Sequence, residues 1–265
     1  MTKFIAIMAG KGGTGKTTTS VNLGAALSYF GKDVIIVDAN LTTPNIGIHL
    51  GVPVVPIHIH HVLQGKNTIN EAIYVHPAGP KIIPGSISIA DLHNTNPEKL
   101  EKSIKELKKL KPDFVIIDGA AGLGREALNA INSAEDMLIV TNPELPALTD
   151  ALKTVKLAEE FGKNIMGVVL TKTGQSNQEI SIRSIESMLE KPVISVIPYD
   201  LVVKEAMTLK DAVVFTHPRS KPSVAYKRLA AALIGQDYFE DYKEDSSEVA
   251  TGNFFVKLLK KIGLK

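Results

Sequence analysis

The chain contains no cysteine. Disulfides, thiolate metal sites, iron–sulfur ligation and cysteine nucleophiles are excluded together, and a reducing compartment is the expected setting. Excess charge of either sign is also missing, since 30 Lys and Arg against 28 Asp and Glu leave a formal charge of +2. No global field draws the molecule to DNA, and any basic patch must be local. Long apolar runs are lacking too. The apolar start, Phe4 to Ala9, meets a glycine cluster after six residues, too soon for a signal peptide or a membrane span, so the chain is expected on the cytosolic side. What remains is 265 residues, 44% hydrophobic and 22% charged, enough to build one generous core.

Short β-branched runs recur at Phe4–Ala9, Val34–Asp38, Phe114–Asp118, Met137–Thr141, Ile165–Thr171 and Val193–Ile197. They are almost continuously apolar instead of alternating, which predicts strands covered on both faces. Helical patterns fall between them at Lys16–Phe30, Asn96–Leu110, Gly124–Ser133, Leu145–Phe161, Ser176–Leu189 and Pro222–Ile234. In the second of these Asn96 can cap, Pro97 takes the first helical position and Pro112 closes the helix. The expected fold class is therefore α/β, a doubly wound, mostly parallel sheet. There is no internal repeat. Composition shifts near Gly235: six acids and one lysine lie between Asp237 and Asn253, and the last thirteen residues carry four lysines and no acid. The expected organisation is a folded domain over 1–236, a flexible acidic linker over 237–252 and a terminal amphipathic helix over 253–265.

Strand Phe4–Ala9 runs directly into Gly10-Lys11-Gly12-Gly13-Thr14-Gly15-Lys16-Thr17-Thr18 and then into a helical pattern. The match to G-x-x-x-x-G-K-[ST] occurs in the strand–loop–helix order that a phosphate-binding loop requires. Glycines let successive backbone N–H groups turn around an anion, and the helix N-terminus adds partial positive charge. Gly10 to Thr18 are thus the expected nucleotide contacts, with Lys16 on the β- and γ-phosphates and the Thr17 hydroxyl on Mg²⁺. Asp38 and Asp118 each end an apolar strand, at the sheet edge where ligands sit. A carboxylate there can simply form a turn, but two of them beside a phosphate loop point to Mg²⁺ and its waters.

Lys11 places a second lysine inside the loop. The segment K-G-G-T-G-K-T-T resembles the deviant P-loop of the MinD/ParA family, and its MinD branch most of all. That resemblance implies an ATPase that converts ATP to ADP and phosphate, with Lys11 completing the site of a second subunit in an ATP sandwich homodimer. It also implies that Asp38–Asn45 and Asp118–Gly122 are the two nucleotide-responsive switch segments. Lys11, Lys16, Asn40 and Asp118 are then the expected catalytic positions. The chain departs from the family at Asn40, where a second acid is common. An amide can hold a water but cannot take its proton, so turnover is expected to be slow. Thr141-Asn142-Pro143-Glu144, Leu170-Thr171-Lys172 and Ile197-Pro198-Tyr199-Asp200 are similar to family segments in order and spacing. They extend the likeness over nearly all of residues 1–235 and imply that Lys172, Pro198 and Asp200 surround the adenine and ribose. Iron–sulfur members of the family are excluded by the missing cysteines. Two rivals remain open: a ParA-like partitioning ATPase that binds DNA, and a nucleotide-gated scaffold that does not hydrolyse.

In the tail, Phe254, Phe255, Leu258, Leu259 and Ile262 share one helical arc, while Lys257, Lys260, Lys261 and Lys265 share the opposite one. Thirteen residues do not hold a helix in water unaided. The pattern suits an anionic membrane surface, to which each lysine is attracted by about 1 kcal/mol; it also suits packing on the chain's own domain or on a protein partner. Its position and pattern are similar to the membrane-targeting segment of the MinD branch. The resemblance therefore implies ATP-controlled attachment to the inner face of the cell membrane, with activator and effector proteins still to be identified. His58, His60 and His61 cluster without a cysteine or a nearby acid, so no metal is expected there.

Overall fold

Each of the six apolar runs forms a strand, and two short ones join them. The computed structural model describes residues 1–77, 79–176 and 178–239. The strands are β1 (Lys3–Ala9), β2 (Val34–Asp38), β3 (Tyr74–Val75), β4 (Lys81–Ile83), β5 (Phe114–Ala121), β6 (Asp136–Thr141), β7 (Asn164–Thr173) and β8 (Val193–Pro198). They make one sheet in the order β3-β4-β2-β5-β1-β6-β7-β8. Only the β3–β4 pair, at the edge, is antiparallel. The doubly wound, mostly parallel sheet expected from the sequence is the fold observed.

Helices fill the crossovers: α1 (Lys16–Tyr29), α2 (Ile46–His49), α3 (Ile59–Leu63), α4 (Ile89–His93), α5 (Leu100–Glu106), α6 (Arg125–Asn132), α7 (Leu145–Glu160), α8 (Ile182–Leu189), α9 (Val202–Thr208), α10 (Val213–Thr216) and α11 (Lys221–Leu233). Alternate residues of β1 supply two separate cores. Phe4, Ala6 and Met8 pack with Ile104, Ile131, Leu148 and Ile185 on one face, whereas Ile5 and Ile7 pack with Leu23, Leu27, Tyr226 and Leu229 on the other. Burial on both faces explains why the strands read as unbroken apolar runs.

Two helices differ from expectation. The span Asn96–Leu110 is α-helical only over α5, with 3₁₀ turns at Pro97–Lys99 and Leu107–Leu110. Asn96 does cap, accepting the Glu98 N–H, and left-handed Lys111 (φ 54°) ends the run one residue before Pro112. Helix α8 starts six residues later than Ser176 because the Ser181 hydroxyl caps it, accepting the Ser184 N–H. From residue 240 onward, the expected acidic linker and terminal helix lie outside the described residues. Among the described residues no helix is long and apolar enough to cross a membrane.

Candidate nucleotide site

Between β1 and α1 the chain turns through Gly13 (φ 79°) and Gly15 (φ 95°), conformations that side chains resist. Gly10 is needed for a different reason. A Cβ there would lie 2.1 Å from the Asp150 carbonyl oxygen, so the loop is seated directly on the backbone of α7. No side chain caps α1 and no acid occupies its first turn, which leaves its N–H groups and partial positive charge for an incoming anion. Lys16 opens this helix and is only 8% exposed. Burial draws its pKa down, while the charge of Asp118 pulls the other way. Its side chain lines the cleft described below. A desolvated cation beside an uncapped helix N-terminus has the chemistry of an anion receptor.

One turn of α1 sets two hydroxyls against a single carboxylate. Thr17 Oγ1 donates to Asp118 Oδ2 at 2.6 Å and Ser20 Oγ donates to Asp118 Oδ1 at 2.9 Å. Asp38 stands beside Asp118 across the β2–β5 ladder, and both are fully buried. Burial, reinforced by Asp118, lifts the Asp38 carboxyl well above its usual range. Asp118 is also raised by burial, though Thr17, Lys16 and Ser20 oppose the shift. The oxygens of Asp38 are already engaged: Oδ1 accepts the Asn40 N–H (3.2 Å), and Oδ2 accepts those of Asn45 (2.9 Å) and Ile46 (3.0 Å). Asn40 is engaged as well, its side chain donating to the Thr43 carbonyl (2.7 Å) and accepting from the Thr43 hydroxyl (3.1 Å).

These groups lie beside a cleft of about 1090 Å³ that runs along the carboxyl ends of β1, β2, β5, β7 and β8. The AAA domain family model matches residues 2–167. Over 240 residues the chain is 39% identical to an uncharacterised ATP-binding protein of Methanocaldococcus jannaschii, covering 91% of this chain and 90% of that one. It is 33% identical to the septum site-determining protein MinD of Synechocystis, over 89% of this chain and 91% of that one. A solved MinD structure from Pyrococcus horikoshii, complexed with Mg-ADP, matches with a TM-score of 0.84 at 38% identity, covering 87% and 95% of the two chains. The chain belongs to the MinD/ParA family of P-loop ATPases.

In this MinD/ParA chain the cleft brings most of the expected residues together. Gly12, Gly13, Gly15, Lys16, Thr17, Thr18, Asn40, Lys172, Pro198 and Asp200 all line it. Lys172 adopts a left-handed backbone (φ 57°) and its ammonium donates to the Gly13 carbonyl at 2.6 Å, so the end of β7 is tied directly to the phosphate loop. Asp200 accepts the Val202 N–H and starts α9. Gly10, Thr14, Asp38 and Asp118 stand behind the lining, while Lys11 is exposed and outside it. Several contributors were not singled out in the sequence. Ser20 lies three residues after Thr17, a helical spacing that could have revealed it. Glu126 accepts the Thr42 N–H (3.2 Å) and the Thr42 hydroxyl, tying α6 to the segment after β2. Tyr226 of α11 lines the cleft; burial pushes its pKa up to about 12, and its hydroxyl is 3.4 Å from Thr19 Oγ1. No local pattern announces the last two.

Proposed function

We propose that this chain is a MinD-like ATPase that binds ATP with Mg²⁺ in the cleft and dimerises around the nucleotide. Residues 1–236 form the ATPase domain; residues 237–252 link it to a membrane-seeking helix at 253–265. One observation carries the reading: a largely buried lysine at the uncapped start of α1, lining a cleft of about 1090 Å³. Gly10 to Thr18 would cradle the phosphates, Lys16 would meet the β- and γ-phosphates, and Lys172, Pro198 and Asp200 would border the base and ribose. The Thr17 hydroxyl and the Asp118 carboxylate, already in contact, are hard oxygen donors that suit Mg²⁺. Bound there, the ion would neutralise phosphate charge during transfer. Asp38, whose oxygens hold three backbone N–H groups, would act on the metal through water.

Exposed Lys11 would reach the nucleotide of a second copy, making assembly conditional on triphosphate. Asn40 holds the attacking water without taking its proton, which gives slow hydrolysis. A dimer presents two tails, and the second insertion into an anionic surface is intramolecular, gaining a factor of roughly 10². Nucleotide state would then set residence at the cytoplasmic face of the membrane. The septum site-determining name of the Synechocystis relative supports a role in division-site or protein positioning, with activator and effector partners.

Light scattering and co-sedimentation with anionic vesicles, with ATP, ADP or no nucleotide and with or without residues 254–265, test this. A dimer and sedimentation are expected with ATP alone, and sedimentation is lost on truncation. A monomer with saturating ATP and Mg²⁺, or equal sedimentation in all three states, overturns it. Salt-sensitive DNA binding by the ATP form without vesicle binding would establish the partitioning alternative instead.

A further inference from the structure

The histidine cluster does have an acid, brought from thirty residues away. His58 immediately precedes α3 and His61 follows one turn later, so the two imidazoles stack with centroids 3.8 Å apart and planes at 24°. Asp91 of α4 reaches both: Oδ2 is 3.3 Å from His58 Nε2, and Oδ1 is 3.8 Å from His61 Nε2. One ligand atom from each of the three residues falls within 4.8 Å of the others. We propose that His58, His61 and Asp91 form a binding site for a divalent transition metal, zinc or an imidazole-preferring neighbour of zinc. The proposal is independent of the nucleotide reading.

Two imidazole nitrogens and one carboxylate oxygen suit Zn²⁺, Co²⁺ or Ni²⁺ better than Mg²⁺. Metal–ligand bonds of about 2.0–2.2 Å separate tetrahedral donors by roughly 3.3–3.5 Å, so the ligand atoms, now within 4.8 Å of one another, draw together on binding and the stacked rings turn until each nitrogen lone pair meets the ion. Three protein ligands leave a fourth position for water. Ser86 orients the carboxylate, its hydroxyl donating to Asp91 Oδ2 at 2.6 Å, as outer partners of metal ligands do. The side chains of His61 and Asp91 are each 23% exposed, which provides a way in from solvent.

Without a cation the cluster carries a cost. Nδ1 of both rings is buried with no hydrogen-bond partner among the described residues. A proton on Nε2 leaves that Nδ1 lone pair unmet; a proton on Nδ1 aims the Nε2 lone pair at a carboxylate, which only an intervening cation makes favourable. The frame of the site also touches the segment after β2, whose residues Asn40 and Thr42 line the nucleotide cleft. His60, fully buried, bonds the Leu41 carbonyl through Nε2 (3.0 Å) and accepts the Ser86 N–H at Nδ1 (3.0 Å).

The test uses the untagged full chain, chelator-stripped and free of nucleotide. Zn²⁺ is titrated calorimetrically and Co²⁺ by its visible absorption. One metal per chain is expected, with the strong band of tetrahedral cobalt and its loss on adding zinc. His61→Gln and Asp91→Asn should each weaken uptake by more than about 100-fold, and Ser86→Ala by about 10–100-fold. Melting in chelator checks that the variants fold, and zinc should raise the melting point of the parent but not of His61→Gln or Asp91→Asn. Absence of uptake at micromolar zinc, or equal uptake by the parent and folded variants, overturns the assignment.

Discussion

Ser20→Ala isolates the charge state of Asp118. The Ser20 hydroxyl is buried, its single proton shared between Asp118 Oδ1 at 2.9 Å and the Lys16 carbonyl at 3.1 Å, while Thr17 serves the other oxygen. Deletion leaves Oδ1 of a fully buried carboxylate without that donor. The cost depends on what is being bonded: about 1.5–3 kcal/mol for an ionised acceptor and about 0.5–1.5 for a neutral one. In a chain of this size 1 kcal/mol moves the melting point by about 2–4 °C, so loss of a charged bond lowers it by about 3–12 °C. Burial raises the Asp118 pKa and Ser20 is among the groups opposing that rise, so the variant takes up its proton at higher pH than the parent. Where both proteins carry a protonated Asp118 the difference is small; as pH rises and Asp118 ionises it becomes full. Urea denaturation across pH, in chelator and without nucleotide, reads this directly. Ser28→Ala is the control: its hydroxyl is buried without a partner among the described residues, and its removal should be neutral or stabilising. A Ser20→Ala difference below about 0.5 kcal/mol at every pH would refute the reasoning.

Lys16→Met should abolish measurable nucleotide binding by calorimetry yet leave the nucleotide-free protein as stable as the parent or more so, because a desolvated charge is removed; a parallel loss of stability contradicts the anion-receptor reading. Glu126→Gln weakens the ties to Thr42, and at this half-buried position amide exchange over residues 40–46 should quicken by about 2–5-fold; unchanged exchange means the tie holds nothing. Gly10→Ala should cost about 1–3 kcal/mol or more in denaturant unfolding, since the new methyl meets the Asp150 backbone; a cost near zero means that α7 yields freely. Asn40→Asp should speed single-turnover hydrolysis by at least about tenfold, and equal rates remove position 40 from the mechanism.

Legibility followed burial and sequence separation. The parallel strands were readable because both faces are covered, and the loop Gly10–Thr18 because glycine, lysine and threonine carry its chemistry in consecutive positions. The edge pair β3–β4 was missed: strands of two and three residues are too short for any period to show. Helix α9, which lends Val203, Lys204 and Met207 to the cleft, was missed because seven residues beginning Val-Val read equally as strand or loop. The histidine cluster shows no acid beside it in the sequence, because its acid sits on another helix, where only the tertiary fold places it. Glu126 and Tyr226 were invisible for the same reason, one on α6 and the other on α11.

Asp38 meters the loop that follows it. Amides at positions 40, 45 and 46 converge on its two oxygens, so the contour length between them is fixed by one rigid anchor on β2. An inserted or deleted residue between 40 and 45 would carry at least one of those amides out of reach. Engineering that needs a label, a spacer or a cut in this protein should therefore spare this stretch, whose tolerance for changed length is set by a single side chain.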